Sequence, residues 1–335
     1  MVRLRSVLVA SLLALSVACA SARSSSDTVA GPPASGAARG TAAPLPGAGA
    51  PAQLPSDIPF VSLEGPLWIS AGGYLVFSDV VEANGEGAHI YRYDPGPRRF
   101  SVLPYPSESP VSTNGMAVDP TGNRLIVCER YNGRVVRIDP GTRLMVLADH
   151  APTGEALAAP NDLAVRADGN IYFSDSDWGV NTAVAHGKMG FNRIAPTGTI
   201  YRVLDVDKPN GVALSPDGTS LYLGSDVQAK VWRLPLDSGG AAGAPTLLID
   251  GAMVPGGFRV PDGICVDDSG NLYVANNDDA LRAIVVFDPT GRELGRITLP
   301  NKPSNCTFGG PDRRTMYVTT LHTIYEVRMP IPGLP

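Results

Sequence analysis

Glu64-Gly-Pro, Asn114-Gly-Met, Asn161-Asp-Leu, Asn210-Gly-Val, Asp262-Gly-Ile and Asn305-Cys-Thr are six copies of one short phrase, spaced 43 to 52 residues apart. A period of this length marks a repeat architecture such as a propeller. Each copy runs into a short apolar stretch, as in Met116-Ala-Val118 and Val212-Ala-Leu214. A turn follows, as in Asp119-Pro-Thr-Gly122 and Ser215-Pro-Asp-Gly218, where Gly supplies the positive φ of hairpin chemistry. A β-branched or aromatic run comes next, such as Leu125-Ile-Val127 or Leu272-Tyr-Val274. A third run follows, exemplified by Val135-Val-Arg-Ile138, Ile200-Tyr-Arg-Val203 and Val231-Trp-Arg-Leu234. Most copies add a weaker fourth run, such as Leu144-Met-Val-Leu147. The prediction is an all-β fold, a six-bladed β-propeller over residues 57–335 with no long helix. Residues 58–63 are expected to supply the outer strand of the last blade and close the ring, so that no sheet edge is left open.

The leading residue of the phrase varies, and the variation carries the functional information. In a propeller the first strand of each blade lines the central channel, so the six leading residues converge at one mouth. Two are carboxylates and four are amides. Glu64, Asn161, Asn210 and Asp262 offer a hard-oxygen set suited to one divalent cation, Ca²⁺ first, with Mg²⁺, Mn²⁺ and Zn²⁺ as alternatives. No His or Cys occupies the leading position, which disfavours a structural zinc site. Asn and Asp also cap turns. Six copies in phase favour a site over capping, because two converging carboxylates would repel one another without a cation. Asn114, Asn161 and Trp178 are candidate substrate contacts, and Asn305 is a candidate tie for the closing blade. Trp68 and Trp178 also read as packing between blades.

Glu64-Gly-Pro-Leu-Trp68, Asn114-Gly-Met-Ala-Val-Asp119, Pro160-Asn-Asp162, Pro209-Asn-Gly211, Pro261-Asp-Gly263 and Asn305-Cys-Thr-Phe-Gly-Gly-Pro-Asp312 together resemble the senescence-marker-protein/gluconolactonase family. That family includes regucalcin-type lactonases and is similar in fold to the squid-type organophosphate hydrolase. The resemblance covers about residues 60–329. It implies a divalent metal on Glu64, Asn210 and Asp262, with Asn161 near metal or substrate. It also implies that Asp262 is the catalytic carboxylate, as general base or as nucleophile, acting on a small-molecule lactone or ester. Regucalcin-type members tend to carry a substrate-contacting Arg two residues before the third copy, where this chain has Ala159. Gluconolactonases usually read Asp-Pro where this chain has Asp175-Ser-Asp-Trp178. The insertion that follows, 179–193, reads either as a substrate lid or as a solvated hairpin loop.

Two other functions fit the same pattern. One is a non-enzymatic binding propeller in which Ca²⁺ staples the channel; the other is phosphotriester hydrolysis. Ser-His-Asp catalysis is disfavoured, because His89, His150, His186 and His322 all fall outside the repeated phrase and no Gly-x-Ser-x-Gly elbow occurs. The formal net charge of −5 and the lack of a basic block argue against a nucleic-acid partner. A monomer is expected.

The N-terminus reads as an export signal, residues 1–19, with Arg3 and Arg5 ahead of a short apolar run. Leu15-Ser-Val-Ala-Cys19-Ala20 resembles a lipobox with Cys19 as the lipidated residue. Ala18-x-Ala20 offers the alternative of ordinary cleavage and free secretion. Residues 20–56 are rich in Ala, Gly, Pro and Ser, and read as a flexible tether reaching roughly 35 Å. The expected location is the periplasm, the outer membrane through a lipid anchor, or the exterior. Cys128, Cys265 and Cys306 remain; their flanks read as buried strand positions, with one Cys265–Cys306 bridge as the alternative.

Overall fold

Six four-stranded antiparallel sheets account for all the strands in the computed structural model, which describes residues 43–80, 89–106, 112–122, 124–141, 143–178 and 187–335. No α-helix occurs among the described residues, only one 3₁₀ turn at Gly251–Met253. The chain is a six-bladed β-propeller. The inner strands are Leu63–Ile69, Thr113–Val118, Pro160–Val165, Pro209–Leu214, Pro261–Val266 and Pro303–Gly309. Each begins at or just before a copy of the repeated phrase.

Apolar side chains gather into six clusters, each between neighbouring blades. Leu67, Val76 and Ile90 of blade 1 meet Met116, Val127 and Val136 of blade 2, for example. The alternation of each strand feeds two such interfaces, so every blade is a spacer with two dry faces. Trp68 stacks on Tyr317 with ring centroids 5.8 Å apart, which locks blade 1 against blade 6.

Four expectations need correction. The closing strand is not residues 58–63 but Ala52–Gln53, which pairs with Ile324–Arg328 in the register Ala52↔Glu326. Residues 58–63 are used up in entering blade 1: the Asp79 carboxylate accepts from Val61 N and Ser62 N, and Phe60 packs edge-on to Phe77 and Tyr91. Residues 43–56, read as tether, accordingly lie on the propeller. Leu45 N donates to Arg296 O, Gly49 N to Arg328 O, and Leu54 is buried. The signal, Cys19 and the rest of the tether lie outside the described residues.

In blade 3 the third strand is Gly190–Ile194, and the run at Ile200 is the fourth, Ile200–Asp205. Phe191 and Asn192 are buried within that strand, so the insertion is shorter than the sequence suggested. The rest of it, 179–186 with His186, lies outside the described residues. Finally, Cys265 and Cys306 form a disulfide across blades 5 and 6, with Cα atoms 5.8 Å apart, inside the usual bridging range. Among the described cysteines Cys128 alone is free, and burial pushes its thiol up.

Candidate active site at the channel mouth

The inner strands do not pair continuously. The ladder slips between Thr113 and Met116, Pro160 and Leu163, Pro209 and Val212, and Pro261 and Ile264. Each of these β-bulges contains the variable residue and its follower, so both are released from the ladder and re-aimed. Blade 1 bulges after Glu64 and blade 6 before Asn305. Asn114, Asn161, Asn210, Asp262 and Asn305 are all buried.

The follower must be small because the next copy lies against it. A Cβ on Gly65 would stand 2.1 Å from Asn114 O, and one on Gly211 would stand 2.3 Å from Asp262 O. One on Gly263 would stand 2.0 Å from Asn305 Cγ. Contact passes from copy to copy around the axis. The ring closes where Asn305 Nδ2 donates to Glu64 Oε2 at 3.3 Å, while Asn305 Oδ1 accepts from Cys306 N.

Copy three breaks the rule with Asp162 in place of Gly. Its carboxylate spans to the next blade, accepting from Val212 N at 3.0 Å and from Leu163 N at 2.9 Å. Three carboxylates therefore face one small volume. Burial, then the nearby Asp162 charge, pushes Glu64 up to about 7, against hydrogen bonds from Gly65 and Asn305 and the field of Arg130. Burial pushes Asp162 up to about 7 as well, with the Asp262 charge adding to it. Asp262 is raised well above the usual carboxylate range by burial and by the Glu64 charge, despite side-chain hydrogen bonds from Asn277 and Asn210. Asn277 Nδ2 donates to Asp262 Oδ2 at 2.7 Å.

A second series circles the mouth, and the sequence did not reveal it. The residue after the second strand of a blade sends its N–H to the carbonyl two residues before the variable position. The pairs are Val80 to Ser62, Arg130 to Ser112, Ser176 to Ala159, Asp226 to Lys208 and Asn277 to Val260. Arg130, Asp226 and Asn277 are the members that touch or bias the carboxylates. No fixed dipeptide marks this series, so only the strand ends could have located it. Asp162 did have a signal, the lone charged side chain in a column of followers otherwise filled by Gly and Cys.

The candidate contacts are placed unevenly. Asn114 Oδ1 is buried with no hydrogen-bond partner among the described residues. Trp178 lies at the rim under Lys208, whose Nζ is 4.6 Å from the ring centroid. Its neighbour Asp175 is structural, accepting from Ala158 N and Ala159 N. Of the described histidines, His150 pairs with Asp149, His322 bonds Phe60 O and His89 opens an outer strand; none joins the ring.

The sequence profile described as SMP-30/Gluconolactonase/LRE-like region matches residues 63–322. This protein belongs to that family. A gluconolactonase of Zymomonas mobilis is 31% identical over 288 residues, covering 79% of this chain and 78% of its own. Pentonolactonase XacC of Haloferax volcanii is 28% identical, covering 77% of this chain and 80% of its own. A gluconolactonase of Xanthomonas campestris superposes with a TM-score of 0.70 at 26% identity, covering 87% of this chain and 98% of its own.

Below the ring the channel narrows to a cavity of about 230 Å³ lined by Leu67, Met116, Val118, Val165, Leu214 and Val266 among others. Leu334 closes its far end, its N–H bonded to Val266 O. Among the described residues no three Asp, Glu, His or Cys side chains form a metal cluster by themselves. A cation at the mouth would draw on amide as well as carboxylate oxygens, a mixture that Ca²⁺ accepts. Carboxylates whose charged forms are disfavoured by burial first and then by one another's charge are a donor set that a cation would relieve.

Proposed function

We propose that this protein is a lactone hydrolase whose reaction takes place at the polar mouth of the channel. The observation that carries the reading is the convergence of Glu64, half-buried, with the buried Asp162 and Asp262 within a ring of amides, each carboxyl raised by desolvation and by a neighbour's charge. A binding surface has no use for three carboxylates raised against one another. The family relatives named as lactonases support the same class of substrate.

Glu64, Asn161, Asn210 and Asp262 would hold a divalent cation, with Ca²⁺ the best fit to their oxygens. Such an ion supplies Lewis acidity at the substrate carbonyl. Asp262 acts as the general base. Burial raises its pKa above that of an ordinary carboxyl, and a bound cation would favour the ionised form that accepts the proton from water. Asn277 holds Oδ2, which fixes the plane of the carboxylate. The water oxygen bonds to the carbonyl carbon, the ring C–O bond breaks, and the proton taken by Asp262 is returned to the departing alkoxide. Asn114 Oδ1, buried and unpartnered, accepts a hydrogen bond from the substrate.

Asp262→Asn removes the base while keeping the shape. Hydrolysis of aldonolactones is expected to fall roughly 10³-fold, with the circular dichroism spectrum unchanged. Full turnover by that variant, or by protein freed of metal, would overturn the proposal. We also propose export, with acylation of Cys19. The mature N-terminus should carry an acyl mass on Cys19, and its absence from the mass spectrum removes the anchor.

A further inference from the structure

One cation at the mouth, Lys208, forms no ion pair with a carboxylate among the described residues. Lys208 stands two residues before Asn210. In the five blades that share the backbone bond described above, the equivalent residues are Ser62, Ser112, Ala159, Lys208 and Val260, so only blade 4 places a charge there. Its φ of 46° lies in the left-handed region, which is unfavourable for a side chain of this kind and is tolerated mainly where the surroundings require it. The side chain is half-buried. Its Nζ lies over the Trp178 ring and donates to the Asp177 carbonyl, but forms no ion pair with a described carboxylate. Asp226 is bonded to Lys208 through its backbone N–H alone, at 3.2 Å, and the ammonium reaches its carboxylate only as a field.

An ammonium mounted on an indole face has donors to spare and retains much of its charge, because the ring supplies a quadrupole rather than a counter-ion. It sits at the rim, between blades 3 and 4, beside the arc of Asn161 and Asn210. Asp226 lies within the field of Lys208 and Asp262 within the field of Asp226, which puts the ammonium on the same side of the channel as the reacting carboxylate. We propose that Lys208, seated on Trp178, binds an anionic group carried by the substrate away from the reacting carbonyl, so that the favoured lactones are those of sugar diacids. The inference rests on the lactone-hydrolase reading above. It assigns Trp178 the role of platform for the ammonium and leaves the substrate contact to Lys208. The competing role for Lys208 is to balance the acidic mouth, which would affect charged and neutral substrates alike.

The test compares kcat/KM for glucono-1,5-lactone and for glucaro-1,4-lactone in the wild type, Lys208→Met and Lys208→Arg. Gluconate and glucarate binding is measured by calorimetry on the same proteins. The wild type should favour the lactone with the extra carboxylate. Lys208→Met should shrink that preference roughly 10- to 100-fold, the worth of a hydrogen bond to a charged group, and Lys208→Arg should keep it within a few-fold. Added salt should erode the wild-type preference. An unchanged preference in Lys208→Met overturns the inference while hydrolysis of either lactone leaves the functional reading standing. Glucarate binding that depends on Lys208 without hydrolysis supports the subsite and sinks the hydrolase reading. Neither hydrolysis nor binding sinks both.

Discussion

The two ends of the central channel are built by the same six strands and share almost no chemistry. At the mouth, the half-buried Glu64 and the buried Asp162 and Asp262 have raised pKa values among four amides. A few residues further along, the strands contribute Met116, Val165, Leu214 and Val266 to a cavity plugged by Leu334, whose upper lining also includes Asp162 and Asn305. The lower end is stabilised by what it excludes from water. The mouth is destabilised by the charges it holds, and a fold retains such a cost where it serves a function. The bulges separate the two regimes, since above them side chains aim at the axis and below them they follow the pleat.

Each end can be perturbed alone. The largest contrast is expected from Asp262→Asn, which should lower turnover roughly 10³-fold and leave the melting temperature equal or higher, as checked by steady-state kinetics and calorimetry. The next concerns pH. Glu64 and Asp162 titrate near 7 in the fold against 4.5 and 3.8 as ordinary carboxyls, so the folded state holds more protons between those values. Metal-free protein should therefore be most stable below about pH 4 as far as these groups are concerned, and lose that stability as pH rises through about 7. Ca²⁺ should restore it at pH 8, by several degrees in a thermal melt at saturating ion. A pH-independent melting temperature with no response to any divalent ion would remove the electrostatic account of the mouth. The smallest effect is expected below the ring. Val266→Ala should cost about 2 kcal/mol in denaturant unfolding while kcat/KM stays within a factor of about two. A large loss of activity there would mean that the two ends are coupled.

Much of this molecule is legible in its sequence, and the illegible parts have physical reasons. Six phased copies of a turn-flanked apolar phrase fix the blade number, and neighbouring copies do contact one another around the axis. The closing strand escapes because Ala52 and Gln53 are exposed at a sheet edge, where backbone bonding needs no hydrophobic pattern. The third strand of blade 3 escapes because Gly190-Phe-Asn-Arg-Ile194 lacks the apolar run of its counterparts. Asp162 was in view but read as part of a motif; its meaning lies in reaching Val212 of the next blade, a contact between distant segments. Asn277 and Arg130 belong to a series defined by strand ends, which no local composition announces. The Cys265–Cys306 disulfide was one of two readings open in the sequence; the choice rests on a Cα separation of 5.8 Å between neighbouring inner strands, which spacing in the chain does not fix.

The pairing of Ala52 with Glu326 also sets an order of events in time. Every other strand pair in the ring joins neighbours in the sequence, and can form as soon as both have left the ribosome or the export channel. This one waits for nearly the whole chain, and its loop-closure entropy has to be overcome before any contact rewards it. Until then Ile324–Arg328 presents a bare edge able to capture a strand from another copy. The shortest strand of the propeller is thus its kinetic latch, and the interval before it shuts is when the chain is most exposed to misassembly.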